Sequence, residues 1–211
     1  FTIEDAGPKA AATALTAADK GLLDESDTTG SGTDGIFTAS VGFADNFTAT
    51  AYGADGAGAV AYALVLTGTN VASGFFALGT NGAQGEAIVL NQTGATITGT
   101  AGGQTYFVIS IDNDPASATF GTATFTLNAD RPIWHSATGA NGTNHDDADT
   151  MSVAANALVV QQTVTDGDGD TATATLDIGT GVFTIEDAGP KAAATALTAA
   201  QKGLLDESET T

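Results

Sequence analysis

An all-β fold, an Ig-like, Greek-key antiparallel β-sandwich, is what this 211-residue sequence predicts, on three observations. Short segments alternate apolar and polar residues with the period of two of half-buried strands, as in Phe120 to Leu127 and Thr171 to Ile178. Turn chemistry recurs between such segments at Asn81-Gly82, Gly102-Gly103, Asn141-Gly142 and several Asp-Gly pairs. The apolar residues are mostly Ala and Val, and 27 glycines with only 7% aromatics favour thin sheets with small side chains inside over long helices. Roughly eight or more strands in two packed layers satisfy this pattern.

A long repeat organises the chain. Residues 1–29 recur as residues 183–211, differing only at Asp19 against Gln201 and Asp27 against Glu209, a shift of 182 residues. A period of that length exceeds the solenoid range, so the unit is a whole domain strung in tandem. Its punctuation is Glu4-Asp5-Ala6-Gly7-Pro8 and Glu186-Asp187-Ala188-Gly189-Pro190. Glycine permits a bend there, and proline then fixes φ and removes a ladder donor. Residues 1–7 accordingly close a preceding repeat as a linker, 8–189 form one complete sandwich repeat, and 190–211 open the next. Within the unit, Ala10 to Leu23 mixes helix-forming Ala, Leu and Lys with Thr at strand-like spacing, and a first strand ending near Asp24 is the favoured reading. Val60 to Leu66 and Tyr106 to Ile111 are continuous enough to be deeply buried strands.

The charge balance narrows the function. Net charge is −20 with five cations, and Arg131 is the sole Lys or Arg between Lys20 and Lys191. Most carboxylates must therefore repel one another, face water or bind metal. A field of this sign opposes nucleic acid and anionic membranes as partners. Without cysteine there is neither disulfide nor thiolate site, leaving metal ions as the available staple. No stretch approaches the ~20 apolar residues of a membrane span, so no membrane insertion is expected. The opening Phe1-Thr2-Ile3-Glu4 lacks the basic and apolar regions of a secretory signal, and reads as the interior of a longer protein. Such a piece is expected to be a monomeric segment whose partners are the adjacent repeats of its own chain.

Val164-Thr165-Asp166-Gly167-Asp168-Gly169-Asp170-Thr171 is the strongest chemical signal. Asp166, Asp168 and Asp170 alternate in a glycine-flexed loop before a strand, a grouping of hard oxygen donors that suits calcium. It is not an EF-hand, since Thr171 stands at position six, Asp177 at position twelve, and β patterns flank it. The competing reading is a solvated acidic hairpin turn. Further candidate ligands are Glu4 with Asp5, Glu186 with Asp187, Asp24 with Glu25, Asp112 with Asp114, and Asp146, Asp147 and Asp149 after His145. Each of these pairs, taken alone, is equally a solvated loop. Carboxylates at a hinge have a particular use, because an ion shared between two domains removes bending freedom from a short linker.

Other motifs carry less. Gly30-Ser31-Gly32-Thr33-Asp34-Gly35 matches the dinucleotide fingerprint formally, but no helix pattern follows and nearby carboxylates would repel a pyrophosphate. His135 and Ser136 sit in no positional hydrolase motif, so no enzyme is expected; His135 beside Trp134 reads as a packing residue at a strand end. Thr-x-Thr runs at Thr122 to Thr126 and Thr171 to Thr175 would array hydroxyls on a flat face, which keeps a carbohydrate- or ice-binding sandwich open as the alternative function.

Four landmarks in order resemble the tandem repeat domains of giant type 1-secreted adhesins of the repeats-in-toxin (RTX) class. They are Leu22-Leu23-Asp24-Glu25-Ser26, Ile133-Trp134-His135, Thr165 to Thr171 (TDGDGDT) and the closing Glu186-Asp187-Ala188-Gly189-Pro190, and together they span the whole unit. The resemblance implies an extracellular protein on the surface of a Gram-negative bacterium, whose repeats form a calcium-dependent stalk. It also carries calcium onto the Asp166, Asp168 and Asp170 loop and onto the acidic linkers. The nonapeptide calcium β-roll of such proteins is missing from this sequence.

Overall fold

The computed structural model describes residues 6–25, 35–48, 51–136 and 147–187. Those residues form an all-β sandwich. Its strands are β1 (Gly21–Asp24), β2 (Thr38–Gly42), β3 (Ala57–Leu66), β4 (Val71–Leu78), β5 (Gln84–Thr93), β6 (Thr96–Ala101), β7 (Gln104–Ile111), β8 (Thr122–Leu127), β9 (Ala148–Ser152), β10 (Leu158–Asp166), β11 (Thr171–Asp177) and β12 (Thr180–Glu186). One layer is a six-stranded antiparallel sheet in the order β2-β8-β7-β6-β5-β4. The other consists of two three-stranded sheets, β11-β10-β3 and β1-β12-β9.

Register shows that the two short sheets share one ribbon. Thr165 pairs with Thr171 and Val159 with Asp177; the partnership then resumes at Ser152 with Thr180 and ends at Ala148 with Glu186. Residues 148–166 thus lie antiparallel to 171–186, with a register shift between Thr180 and Thr184 and a junction where Val153 N–H donates to the Gly179 carbonyl (2.9 Å) and Ile178 N–H to that of Leu158 (3.0 Å). β3 flanks this ribbon beside β10, and β1 flanks it beside β12. At ~3.3 Å per residue, strands of this length set the ribbon's two tips several tens of ångströms apart. The tip at 166–171 is the N-terminal pole, because Ala6 and Gly7 pack there against Gly53 and Asp170. The tip at 148 and 186 is the C-terminal pole.

One pairing departs from the antiparallel expectation. β1 runs parallel to β12, Gly21 opposite Phe183 and Asp24 opposite Glu186. The strand expected across Ala10 to Leu23 is also shorter, since regular pairing begins only at Gly21. The preceding residues are tied to Asn46, Thr48 and Ala51 through scattered bonds, Lys9 N–H to the Ala51 carbonyl, Thr48 N–H to that of Ala11 and Thr13 N–H to that of Asn46. A turn then interrupts them. The Asp19 carboxylate accepts from the Thr16 N–H (2.6 Å) and hydroxyl (2.8 Å) and from the Asn46 amide (3.2 Å). Such local side-chain bonds draw Thr and Asp away from a ladder.

The core joins the layers through aromatic contacts. Phe107 stacks on Phe125 at 4.5 Å between ring centroids, Phe75 meets Phe107 edge-on at 5.9 Å, and Phe125 reaches Phe183 of β12 at 5.1 Å. Gly99 makes room for this stack: a Cβ there would lie 2.3 Å from the Phe107 ring. Gly99→Ala should consequently destabilise the domain by about 1–3 kcal/mol through overpacking, read as a lower denaturation midpoint with an unchanged m-value. Asp19 gives a pH test. Its backbone bond from Thr16, followed by those from the Thr16 and Asn46 side chains, holds its carboxyl below the ordinary value. Its stabilisation is therefore complete above the unfolded value of about 4 and lost as pH falls through the lower folded value. Asp19→Ala should flatten the acid limb of the Tm–pH profile in that range.

Candidate metal centres

At the N-terminal pole two loops touch backbone to backbone. Asp166 N–H donates to the Asp170 carbonyl (3.0 Å) and Gly167 N–H to that of Gly56 (3.0 Å). Glycine makes the approach possible, since a Cβ at Gly58 would sit 2.2 Å from the Asp166 carbonyl oxygen and one at Gly167 2.3 Å from that of Asp55. Asp55 is thereby brought to Asp166 and Asp168, with one carboxylate oxygen of each within 4.8 Å of the others.

The decisive atom is Asp166 Oδ2. Asp166 is only 3% exposed. Its Oδ1 accepts from the N–H groups of Gly169 (3.1 Å) and Asp170 (2.8 Å), while Oδ2 is buried with no hydrogen-bond donor. A carboxylate oxygen buried in that way is costly unless a proton or cation reaches it. The Asp168 carboxyl is pushed up from its ordinary value because its proton would be shared with Asp166, with desolvation and the negative charges of Asp166 and Asp170 adding to the effect. Carboxylate donors in a glycine-flexed loop fit a hard cation of the calcium kind.

Of the three loop aspartates that the sequence offers as ligands, the structure brings Asp166 and Asp168 together. Asp170 is outside the trio; its Oδ2 lies toward Gly7, 3.7 Å from where a Cβ on that glycine would stand. Asp55 is the third carboxylate of the group. It is distant in sequence, but Asp55-Gly56 precedes β3, and the pairing of Ala57 with Asp166 brings it alongside.

A second polar cluster occupies the C-terminal pole. Ile133 bridges to Ala77 of β4, and Trp134 N–H donates to the Phe76 carbonyl (2.8 Å), which carries His135 inward to 5% exposure. His135 Nε2 lies 3.5 Å from Glu25 Oε2 and Nδ1 lies 3.2 Å from Asp149 Oδ2, ion-pair contacts without well-formed hydrogen-bond geometry. Asp147 joins His135 and Asp149, one ligand atom of each within 4.8 Å of the others. Asp187 N–H donates to the Asp147 carbonyl (3.0 Å). Burial lifts the Glu25 carboxyl, despite His135 and two contacts of 3.2 Å from the Ile133 N–H. Burial also opposes charge on His135, but Glu25, Asp187 and Asp149 outweigh it and raise the imidazole. Asp149 is raised by desolvation and then by Asp147 and Asp187. All three shifts favour additional positive charge at this pole.

The remaining sequence candidates separate clearly. Glu25 and Asp187 belong to the C-terminal cluster. Asp24 and Glu186 face each other across the β1–β12 ladder beside it, and the Asp24 backbone exchanges bonds with Ile36. Asp112 and Asp114 cap their own loop: Asp112 accepts from Asp114 N–H (2.9 Å) and the Thr119 hydroxyl (2.7 Å), and Asp114 from Ala116 N–H (2.9 Å). Glu4, Asp5, His145 and Asp146 lie outside the described residues. His135 is buried, as a packing residue would be, yet its surroundings are ionic.

A family described as a domain of unknown function, DUF5801, matches residues 20–179. The chain belongs to the DUF5801 family. No curated protein and no solved structure matches it. The DUF5801 match falls inside the 8–189 unit and takes in every member of both clusters except Asp187. Asp166→Asn tests the N-terminal site by a reversal of sign. It keeps the Oδ1 acceptor and removes a buried charge, so in chelator it should stabilise by on the order of 1 kcal/mol. In calcium it should lower Tm relative to the parent, as followed by thermal melts in both buffers.

Proposed function

We propose that this DUF5801 chain is a calcium-stiffened extender repeat of a large bacterial surface adhesin. Many such modules in tandem would form a stalk at the cell surface of a Gram-negative bacterium and project a terminal binding region in adhesion and biofilm formation. The observation that carries the reading is the donorless, buried Oδ2 of Asp166 among Asp55 and Asp168, at the pole where the chain enters the domain.

The repeat extends this to the hinge. Asp187-Ala188-Gly189-Pro190 has the same sequence as Asp5-Ala6-Gly7-Pro8, and Gly7 lies beside Asp170. In an array, the residue two positions after Asp187 would occupy the place of Gly7 in the following unit, no more than ~7 Å along the chain. The C-terminal cluster of one unit would then face the N-terminal cluster of the next across a very short linker. Two strongly negative poles so close repel unless cations lie between them, and cations held there would convert a flexible joint into a stiff one.

Binding to the folded state alone adds RT ln(1 + [L]/Kd), about 2.7 kcal/mol at one hundred times Kd. Thermal melts of this chain and small-angle scattering of a two-repeat chain, each in millimolar calcium and in chelator, test the proposal. The expected result is a higher Tm and a longer, straighter two-repeat particle in calcium. If calcium changes neither, the stalk reading fails, and the exposed Thr171, Thr173 and Thr175 of edge strand β11 make carbohydrate or ice binding the reading to pursue.

A further inference from the structure

The C-terminal pole differs chemically from the N-terminal one. Its central donor is an imidazole, a ligand that suits zinc and related transition ions, whereas calcium is bound through oxygen. His135 is 5% exposed, and its ring nitrogens face carboxylates, Nε2 toward Glu25 and Nδ1 toward Asp149, without well-formed hydrogen-bond geometry to either. A buried imidazole so placed between carboxylates has nitrogen donors available to an ion.

We infer that His135, Asp147 and Asp149 form a zinc-class transition-metal site, with Glu25 as the carboxylate that orients the imidazole from behind. The distances fit. Ligand bonds of about 2.0–2.1 Å in a tetrahedral zinc site separate neighbouring donors by ~3.4 Å, and His135 Nδ1 stands 3.2 Å from Asp149 Oδ2. The Asp147 carboxylate lies within the same 4.8 Å group. On the far side of the ring, Nε2 is 3.5 Å from Glu25 Oε2, and the Ile133 N–H holds that carboxylate at 3.2 Å from each oxygen. A carboxylate behind the imidazole of a metal-bound histidine fixes its tautomer and strengthens it as a donor. Asp187, tied to the Asp147 backbone, or water completes the coordination.

Three chain segments meet at this site: Glu25 follows β1, His135 follows the bridge to β4, and Asp147 precedes and Asp149 lies in the start of β9. An ion there would lock the last strand pairings of the unit immediately before the hinge. The inference does not depend on calcium at the opposite pole.

The test is titration of the whole chain with Co2+ as a visible-absorbing stand-in for zinc, in millimolar calcium so that oxygen-only sites are already filled. Intense d–d bands of a four- or five-coordinate ion, displaced by one equivalent of Zn2+, are expected. His135→Gln should weaken zinc binding at least ~100-fold, and Glu25→Gln by about 10–100-fold, as loss of an outer carboxylate does. Asp149→Asn, at a carboxylate 37% exposed, supplies the same loss if His135→Gln does not fold. Asp114→Asn, which removes one negative charge from a distant loop, should leave zinc affinity unchanged. Absence of zinc binding in calcium, a weak octahedral all-oxygen cobalt spectrum, or binding that survives both His135→Gln and Asp149→Asn would each overturn the assignment, leaving His135 as the cluster's own cation.

Discussion

The antiparallel partnership of residues 148–166 with 171–186 positions almost everything else in this protein. It supplies the frame of one layer, presents Val160, Val164, Val182 and Phe183 to the core, and gives β3 and β1 their edges. The ladder also sets polarity, since one tip is the Asp166 to Asp170 turn and the other carries Ala148 and Glu186. Because a strand is stiff along its length, charge placed at one tip cannot relieve charge at the other. Each pole has to solve its electrostatic problem locally.

The two solutions are different. At the N-terminal pole backbone N–H groups satisfy one oxygen of Asp166, and carboxylates surround the rest, an environment of hard oxygen alone. At the C-terminal pole a buried imidazole lies between Glu25 and Asp149, and the burial that lifts Glu25 is the same burial that keeps water from screening His135. The chain has few lysines and arginines to quiet such groups, and at the C-terminal pole His135 is the base that meets Glu25 and Asp149. A cation at either pole would offset that charge, and the proposed mechanical role follows from where the poles lie relative to the proposed repeat boundary.

Between the poles, stability comes from small residues and a short aromatic chain. Close approach is the recurrent device: glycine at 99 admits the Phe107 ring, and glycines at 58 and 167 let two loop backbones meet. The first use packs the core and the second builds a site. The 29-residue match between the two ends of the chain copies the hinge sequence itself.

Much of this was legible in the chain by itself. Alternation and turn residues determined an all-β sandwich, the repeated ends pointed to a period of 182 residues, and the scarcity of cations singled out Asp166 and Asp168 as candidate ligands. Local signals of that kind depend on neighbours in sequence. Tertiary structure decided the rest: that β1 runs parallel to β12, that Asp55 joins Asp166 and Asp168, and that His135 meets Glu25 and Asp149. His135 and Glu25 are far apart along the chain, and no periodicity encodes a contact made only when β1, β4 and β9 end at one pole. Register between distant strands, set by burial of the whole core, is what brings those side chains together.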